Sequence, residues 1–310
     1  MAGTSNGDKS KLKVWLDGKF VNYSDAKVPI LTHSLQYGSG IFEGLRAYSN
    51  GNGTAVFRLG DHVKRFFRTA KIYHMDLGFT EKQLEKAIID TVKINKLSDC
   101  YIRPFAFYNT DHIGLGTHGD KVTVCIAAVP MGAYFGKGVE TGIRCKVSSW
   151  RRINSEILPV EAKASGNYIN SLIAHIEAVS SGFDEAVMLS SEGKIAEGST
   201  ENIFLYMDGY LLTPSYGSDI LIGITRDSVI KLAQAAGVEV VETELHKEEL
   251  YLADEIFFTG TAAEITPIVN VDGVKIGNGK PGPITTMLAQ KYKDAVTGKD
   301  DTFADWLTYV

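Results

Sequence analysis

The run EAKASGNYINS, Glu161 to Ser171, sets one lysine, Lys163, among Ala162, Ala164, Ser165 and Gly166. Small neighbours leave room for a group that is not protein. A lysine that acts as a nucleophile must shed its proton near neutral pH, which takes desolvation or a nearby cation. Tyr168, a few positions on, can bring a phenol to the same place. The run GKIAEGSTEN adds two carboxylates, Glu197 and Glu201. Either is a candidate partner for a ring nitrogen, and either could be a simple turn residue. In GITRD, Gly223 precedes a helix that opens near Thr225, and the first N–H groups of a helix lack internal partners and attract anions. TGTAAE, Thr259 to Glu264, repeats the idea with the Thr261 hydroxyl after an apolar strand. A lysine, a carboxylate and two anion-cradling turns together suggest pyridoxal 5'-phosphate (PLP). The lysine would form the Schiff base, the carboxylate would keep the pyridine nitrogen protonated, and the turns would hold the phosphate.

The elements that must position these residues read as mixed α/β. The 310 residues, 44% hydrophobic and 22% charged, suffice for two domains. A net charge of -5 and no Lys/Arg run give no support for nucleic-acid or anionic-membrane partners. The longest apolar run, VTVCIAAVPMGAYF, is too short for a spanning helix and is broken by Pro130. Three scattered cysteines, Cys100, Cys125 and Cys145, read as small buried hydrophobes in a cytoplasmic protein. The histidines lack metal-ligand spacing, so no metal site is expected.

KVWLDGKFVNY reads as strand, Asp17-Gly18 turn and strand. GIFEGLRAYSNGNGTAVFRL repeats that pattern around Asn50 to Gly53. DHVKRFFRTAKIYHM turns helical with Asp61 as its cap, and EKQLEKAIIDTVKINKL puts Leu84, Ile88 and Val92 on one helix face. In the second half, NYINSLIAHIEAVSSG and GITRDSVIKLAQAAG are helices among short strands. The organisation predicted is a polar leader at 1–12, a small N-terminal α/β domain at 13–130, a glycine-rich inter-domain loop at 131–142 and a larger domain at 143–310. GSGIFEG, Gly38 to Gly44, has the look of a dinucleotide fingerprint, but its third glycine is one place late and no apolar strand precedes it.

From about Val14 onward the chain resembles the branched-chain amino-acid aminotransferases, fold-type IV PLP enzymes. The segments that carry the resemblance are HSLQYGSGIFEGLRAY, HVKRF, YIRP, EAKASGNY, EGSTENIF, GITRD and TGTAAEITP. It implies a small N-terminal α/β domain and a C-terminal pseudo-barrel that binds PLP. It makes Lys163 the Schiff-base lysine and proton shuttle, acting on the cofactor's re face. It pairs Glu197 with the pyridinium nitrogen and Tyr168 with the phenolic oxygen. Arg65 becomes the phosphate arginine, where the residues alone would allow a surface charge beside Lys64 and Arg68. Backbone groups of Ile224 and Thr225 and the Thr261 hydroxyl complete the phosphate site.

The reaction implied transfers the amino group of leucine, isoleucine or valine to 2-oxoglutarate, so one pocket must admit both a hydrocarbon and a carboxylate. Tyrosines offer apolar faces with polar tips, and an arginine can pair with the carboxylate. The resemblance puts these groups at Tyr37, Phe42, Gly44, Tyr101, Arg103 and Tyr134, with Thr261 and Ala262 binding the α-carboxylate. Arg103, on the same strand face as Tyr101, separates this reading from a D-amino-acid or (R)-amine transaminase. The intact Lys163, Glu197 and Arg65 set argues against a non-catalytic PLP-binding protein. Met131 stands where many bacterial relatives carry tryptophan, which leaves the side-chain range open. The loop Asp111 to Asp120, with Ile113 and Leu115 between glycines, covers a neighbouring subunit's site in the family, so at least a homodimer is implied.

Overall fold

Asp17 and Gly18 both adopt left-handed backbone, with φ of 44° and 91°, as a two-residue I′ hairpin requires. They join strands β1 (Lys13–Leu16) and β2 (Lys19–Asn22). The computed structural model describes residues 9–110, 113–117 and 119–310, so most of the expected leader lies outside the described residues. The chain continues through α1 (His33–Tyr37), β3 (Gly40–Phe42), β4 (Leu45–Asn50) and β5 (Gly53–Phe57). Then come α2 (Leu59–Ile72), α3 (Glu81–Ile94), β6 (Cys100–Tyr108) and β7 (Val122–Pro130). The C-terminal strand Leu307–Tyr309 joins the same sheet, in the order C-terminal strand, β5, β4, β6, β7, β1, β2, with β3 pairing β6.

The core of this unit packs α2 and α3 onto the sheet. Leu84, Ile88 and Val92 are buried as the helical spacing predicts, against Val63 and Phe66 of α2. Each such side chain contributes about 2 kcal/mol by leaving water. A full capping box, Thr80 with Gln83, starts α3. The start of α2 corrects the sequence reading. The helix begins at Leu59 rather than at an Asp61 cap, because Arg58 takes the flanking left-handed position (φ 51°). Its N–H is spent on the Trp306 carbonyl, 2.7 Å away, and Asp61 instead accepts from Arg58 Nε at 2.5 Å.

The other unit holds α4 (Gly138–Thr141), β8 (Ile143–Val147), α5 (Tyr168–Ser180), β9 (Glu185–Leu189), β10 (Ile195–Gly198), β11 (Asn202–Met207) and β12 (Tyr210–Pro214). It continues with α6 (Ile224–Ala235), β13 (Val240–Thr243), α7 (Glu249–Leu252), β14 (Glu255–Gly260), β15 (Glu264–Val271), β16 (Val274–Lys275) and most of α8 (Pro283–Val296). Its sheet runs β10-β9-β8-β15-β14-β11-β12-β13, with β16 on β15. The two parallel pairs that flank a helix in sequence, β8 with β9 and β12 with β13, are crossovers through α5 and α6, the connection parallel strands demand.

The division of the chain falls at Gly132/Ala133, and residues 133–161 and 167–294 form this second unit. Segments 162–166 and 295–310 group with the N-terminal unit instead. The sequence reading had left both in a continuous 143–310 domain and had made 131–142 a loop, where the structure has the short helix α4.

Candidate active site

Lys163 belongs to the five-residue segment that groups with the N-terminal unit, and its backbone explains the small neighbours. Phe42 N–H donates to the Lys163 carbonyl (2.9 Å), Ser165 N–H to Gly40 O (2.8 Å) and Gly166 N–H to Gly38 O (3.0 Å). The segment therefore lies along β3, bridged at Ile41 and Ala164. Ala162 and Ala164 are buried in the sheet's core. Small side chains let two backbones approach: a Cβ on Gly38 would sit 3.2 Å from Gly166 Cα. The small neighbours thus also serve a close backbone contact with β3.

The Lys163 side chain meets charges and rings of the same unit. Its Nζ lies 5.3 Å from the centre of the Phe42 ring, and the Arg103 guanidinium lies 4.6 Å from that same ring. Arg103 also donates to the Tyr101 hydroxyl at 2.9 Å, so these two residues share one face of β6 as the alternation predicts. Gly44 allows this arrangement: a Cβ there would come within 2.0 Å of Tyr101 Oη. Burial, and then the Arg65 charge, bring the Lys163 amine down to about 8.

Arg65 forms a two-pronged ion pair with Glu43, Nε to Oε1 at 2.5 Å and Nη2 to Oε2 at 3.0 Å. His62 Nδ1 sits 2.8 Å from the same Oε2. Burial pushes the Glu43 carboxyl upward, but Arg65 and His62 outweigh it and hold it well below the usual carboxylate range. Burial lowers His62, with Arg65 and Lys163 adding to the effect against the pull of Glu43. The imidazole is then neutral and donates its Nδ1–H, since an ionised carboxylate only accepts.

Tyr37 stands elsewhere in this unit. Its ring lies 4.7 Å from His33, and its hydroxyl accepts from Gly114 N at 3.2 Å. Gly114 belongs to the 111–120 loop, whose residues 111, 112 and 118 lie outside the described residues. Ile113 and Leu115 are more than three-quarters exposed.

In the second unit, Glu197 sits at a register shift in the β10–β9 pairing. Its carboxylate is buried and fully engaged. Arg152 Nε donates to Oε1 at 2.7 Å, while Asn202 Nδ2 (3.1 Å) and Leu221 N (3.2 Å) donate to Oε2. Glu201, the rival candidate, is held by Thr200, whose N–H and Oγ1 donate to it at 3.0 and 2.5 Å. Burial and the neighbouring Glu185 push it up to about 8, so it is protonated at neutral pH and unsuited to holding a ring-nitrogen proton.

Gly223 caps α6 without a side-chain bond to the helix, and a Cβ on it would fall 2.0 Å from Asn202 Oδ1. Only glycine fits, and it brings the α6 N-terminus, Ile224 and Thr225, next to the residue that supports Glu197. Arg226 of the same run points to structure instead: it bonds Glu242 Oε2 (2.6 Å) and the Pro214 carbonyl (2.8 Å). Tyr168 is the first residue of α5. Thr261 and Ala262 form the half-buried turn between β14 and β15, next to Thr259, whose buried Oγ1 has no hydrogen-bond partner among the described residues. Tyr134 packs on Phe135 at 4.8 Å.

The donor set suits PLP: an amine of lowered basicity, a buried carboxylate paired with an arginine, and a helix N-terminus closed to any side chain larger than glycine's. The model of the amino-transferase class IV family matches residues 40–271. The chain belongs to the class IV aminotransferases. Within that family it is 46% identical over 298 residues to the branched-chain-amino-acid aminotransferase of Pseudomonas aeruginosa, covering 96% of this chain and 97% of that one. The fold superimposes, at a TM-score of 0.92 and 48% identity, on the branched-chain aminotransferase of Thermoproteus uzoniensis with norvaline, covering 96% and 98% of the two chains. The branched-chain amino acid aminotransferase of Thermobaculum terrenum, in its PLP form, matches this class IV chain at a TM-score of 0.91 and 35% identity, covering 97% and 98%.

Four residues with site contacts escaped the sequence reading: Glu43, His62, Arg152 and Asn202. The i, i+3 spacing of His62 and Arg65 was a usable signal. Arg152 offered none, because its partner lies 45 residues away.

Proposed function

We propose that this class IV aminotransferase moves the amino group of L-leucine, L-isoleucine or L-valine to 2-oxoglutarate, giving the branched 2-oxo acid and L-glutamate. The observation that carries the reading is the Lys163 amine, brought to about 8 within a shell of Arg65, Phe42, Tyr101 and Arg103. At pH 7 roughly a tenth of it is neutral, against about one part in three thousand for an ordinary lysine. Bound PLP supplies the carbonyl that the lysine attacks and the ring that accepts the electron pair released at the substrate's α-carbon.

The chain's own residues do the rest. Lys163 holds the cofactor and, once released, moves a proton at the α-carbon. Glu197, oriented by Arg152, Asn202 and the Leu221 N–H, holds the proton on the ring nitrogen. Tyr168 donates to the phenolic oxygen. Arg65, the Ile224 and Thr225 N–H groups and the Thr261 hydroxyl bind the phosphate. Phe42, Tyr37, Tyr101 and Tyr134 offer ring surface to a hydrocarbon side chain, and Gly44 keeps Tyr101 in place. Arg103 pairs with the distal carboxylate of glutamate, and the Thr261 and Ala262 N–H groups bind the α-carboxylate.

We also propose a homodimer, supported by the exposure of Ile113 and Leu115 on the 111–120 loop, which is costly unless covered. Work in a reducing, cytoplasmic setting is supported by Cys100, Cys125 and Cys145, all free thiols. Among the described residues no helix is long and apolar enough to cross a membrane.

The test is an amino-donor panel with 2-oxoglutarate and the PLP-loaded protein, with sedimentation for assembly. Leucine, isoleucine and valine should lead the panel. Preference for D-amino acids or (R)-amines would replace this reading with the other one that fits the fold.

A further inference from the structure

Glu43 and His62 have no place in the chemistry above, yet both are almost wholly buried beside it, their side chains 1% and 2% exposed. They are also arranged in order. His62, Arg65 and Thr69 recur along α2 at helical spacing and share a face. His62 and Arg65 meet Glu43, and Thr69 Oγ1 accepts the Lys163 N–H at 3.4 Å. Phe42, next to Glu43, bonds the Lys163 carbonyl. The Glu43 carboxylate thus ties β3 to α2 through His62 and Arg65, and the lysine segment is held by its neighbours on each, Phe42 and Thr69.

An unpaired buried carboxylate is expensive, and replacing a buried ion pair by hydrocarbon is often neutral or stabilising. Folding alone therefore gives Glu43 no evident purpose. A guanidinium carries five N–H groups in a rigid fork, and Glu43 takes its Nε–Nη2 edge, which fixes the plane of the whole group.

We propose that Glu43, steadied by His62, is a positioning residue: it sets the plane of Arg65 for the cofactor's phosphate and offsets Arg65's charge where it acts on Lys163. This rests on the reading that Arg65 and Lys163 hold PLP. The charged or titratable groups acting on the Lys163 amine include Arg65 and His62 on α2, Glu43 after β3, and Tyr101 and Arg103 on β6. Among them Glu43 is the anion at neutral pH. Without it the Arg65 charge weighs more heavily on the amine, so a proton on the lysine nitrogen is lost at lower pH, free or joined to the cofactor.

The experiment compares the PLP-loaded and PLP-stripped protein with its Glu43→Gln, Glu43→Asp and Arg65→Met variants. One readout is the pH midpoint of the bound cofactor's colour change. The other is affinity for PLP, for inorganic phosphate as competitor, and for pyridoxal, which lacks the phosphate. Glu43→Gln should lower the midpoint by about one pH unit and weaken PLP and phosphate at least tenfold, with pyridoxal changed less than threefold. Glu43→Asp keeps the charge and should restore the midpoint while leaving phosphate weakened. An unmoved midpoint and unchanged phosphate affinity in Glu43→Gln overturn the proposal. If that variant does not fold, an Asp variant with both readouts unchanged overturns it equally. An Arg65→Met variant that binds phosphate normally instead removes the reading beneath it, a result distinct from either.

Discussion

Replacing Lys163 by methionine should destroy activity and make the cofactor-free protein more stable. The amine's pKa falls from the ordinary 10.5 to about 8, and each pH unit of that difference is worth about 1.4 kcal/mol. The folded protein therefore carries an ammonium at pH 7 that costs it about 3 kcal/mol. Lys163 is partly accessible, and its Phe42 ring contact returns about 0.5–1 kcal/mol, so about 2 kcal/mol remains after solvent screening. Methionine matches the lysine stem closely and needs no proton. The sign follows from proton binding. Between pH 8 and 10.5 the unfolded chain holds more protons at this position than the folded one, so stability rises with pH there, and the penalty is complete below pH 8. Urea unfolding of PLP-free protein should find Lys163→Met ahead by about 2 kcal/mol at pH 7, with the gap closing near pH 10.5. A variant no more stable than the parent at pH 7, or a gap independent of pH, would refute the claim that the fold itself lowers this amine.

Glu197→Gln should retain PLP yet slow single turnovers with leucine by at least a hundredfold, because an amide cannot hold the ring-nitrogen proton; near-normal rates would assign that role elsewhere. Arg103→Leu should weaken the glutamate half-reaction ten- to a hundredfold, roughly the 1.5–3 kcal/mol of a charged hydrogen bond, and leucine's far less. Equal losses would mean that Arg103 serves the α-carboxylate or the packing of Phe42 and Tyr101. Glu201, raised from 4.5 to about 8, binds a proton in the folded state that the unfolded chain has released, so stability should fall as pH rises from about 5 to 8. Glu201→Gln should flatten that slope in unfolding curves, and an unchanged slope would count against a protonated Glu201.

The local elements were legible because their signals are local: the Asp17-Gly18 angles, the Leu84, Ile88 and Val92 spacing, and glycine before α6. The setting of Lys163 was only partly legible. Small residues around Lys163 do mark a special position, but they serve contact with β3, and that partner is some 120 positions distant in the chain. Glu197 and Glu201 are alike in sequence; what separates them is Arg152 beside one and Glu185 beside the other, which no local pattern encodes. The grouping of 162–166 and 295–310 with the N-terminal unit was not legible, since nothing in a strand of three residues names its partner.

That grouping has a consequence for biosynthesis. The strand Leu307–Tyr309 pairs with β5 residue by residue, Leu307 opposite Phe57 and Tyr309 opposite Ala55. Val310 donates its N–H to the Thr54 carbonyl at 2.9 Å. A ribosome releases a chain from its N-terminus onward, and domains generally fold as they emerge. Here the first sheet to be made waits for Leu307–Tyr309, and its edge at β5 stays open, a template for pairing with another nascent chain, until those residues have emerged.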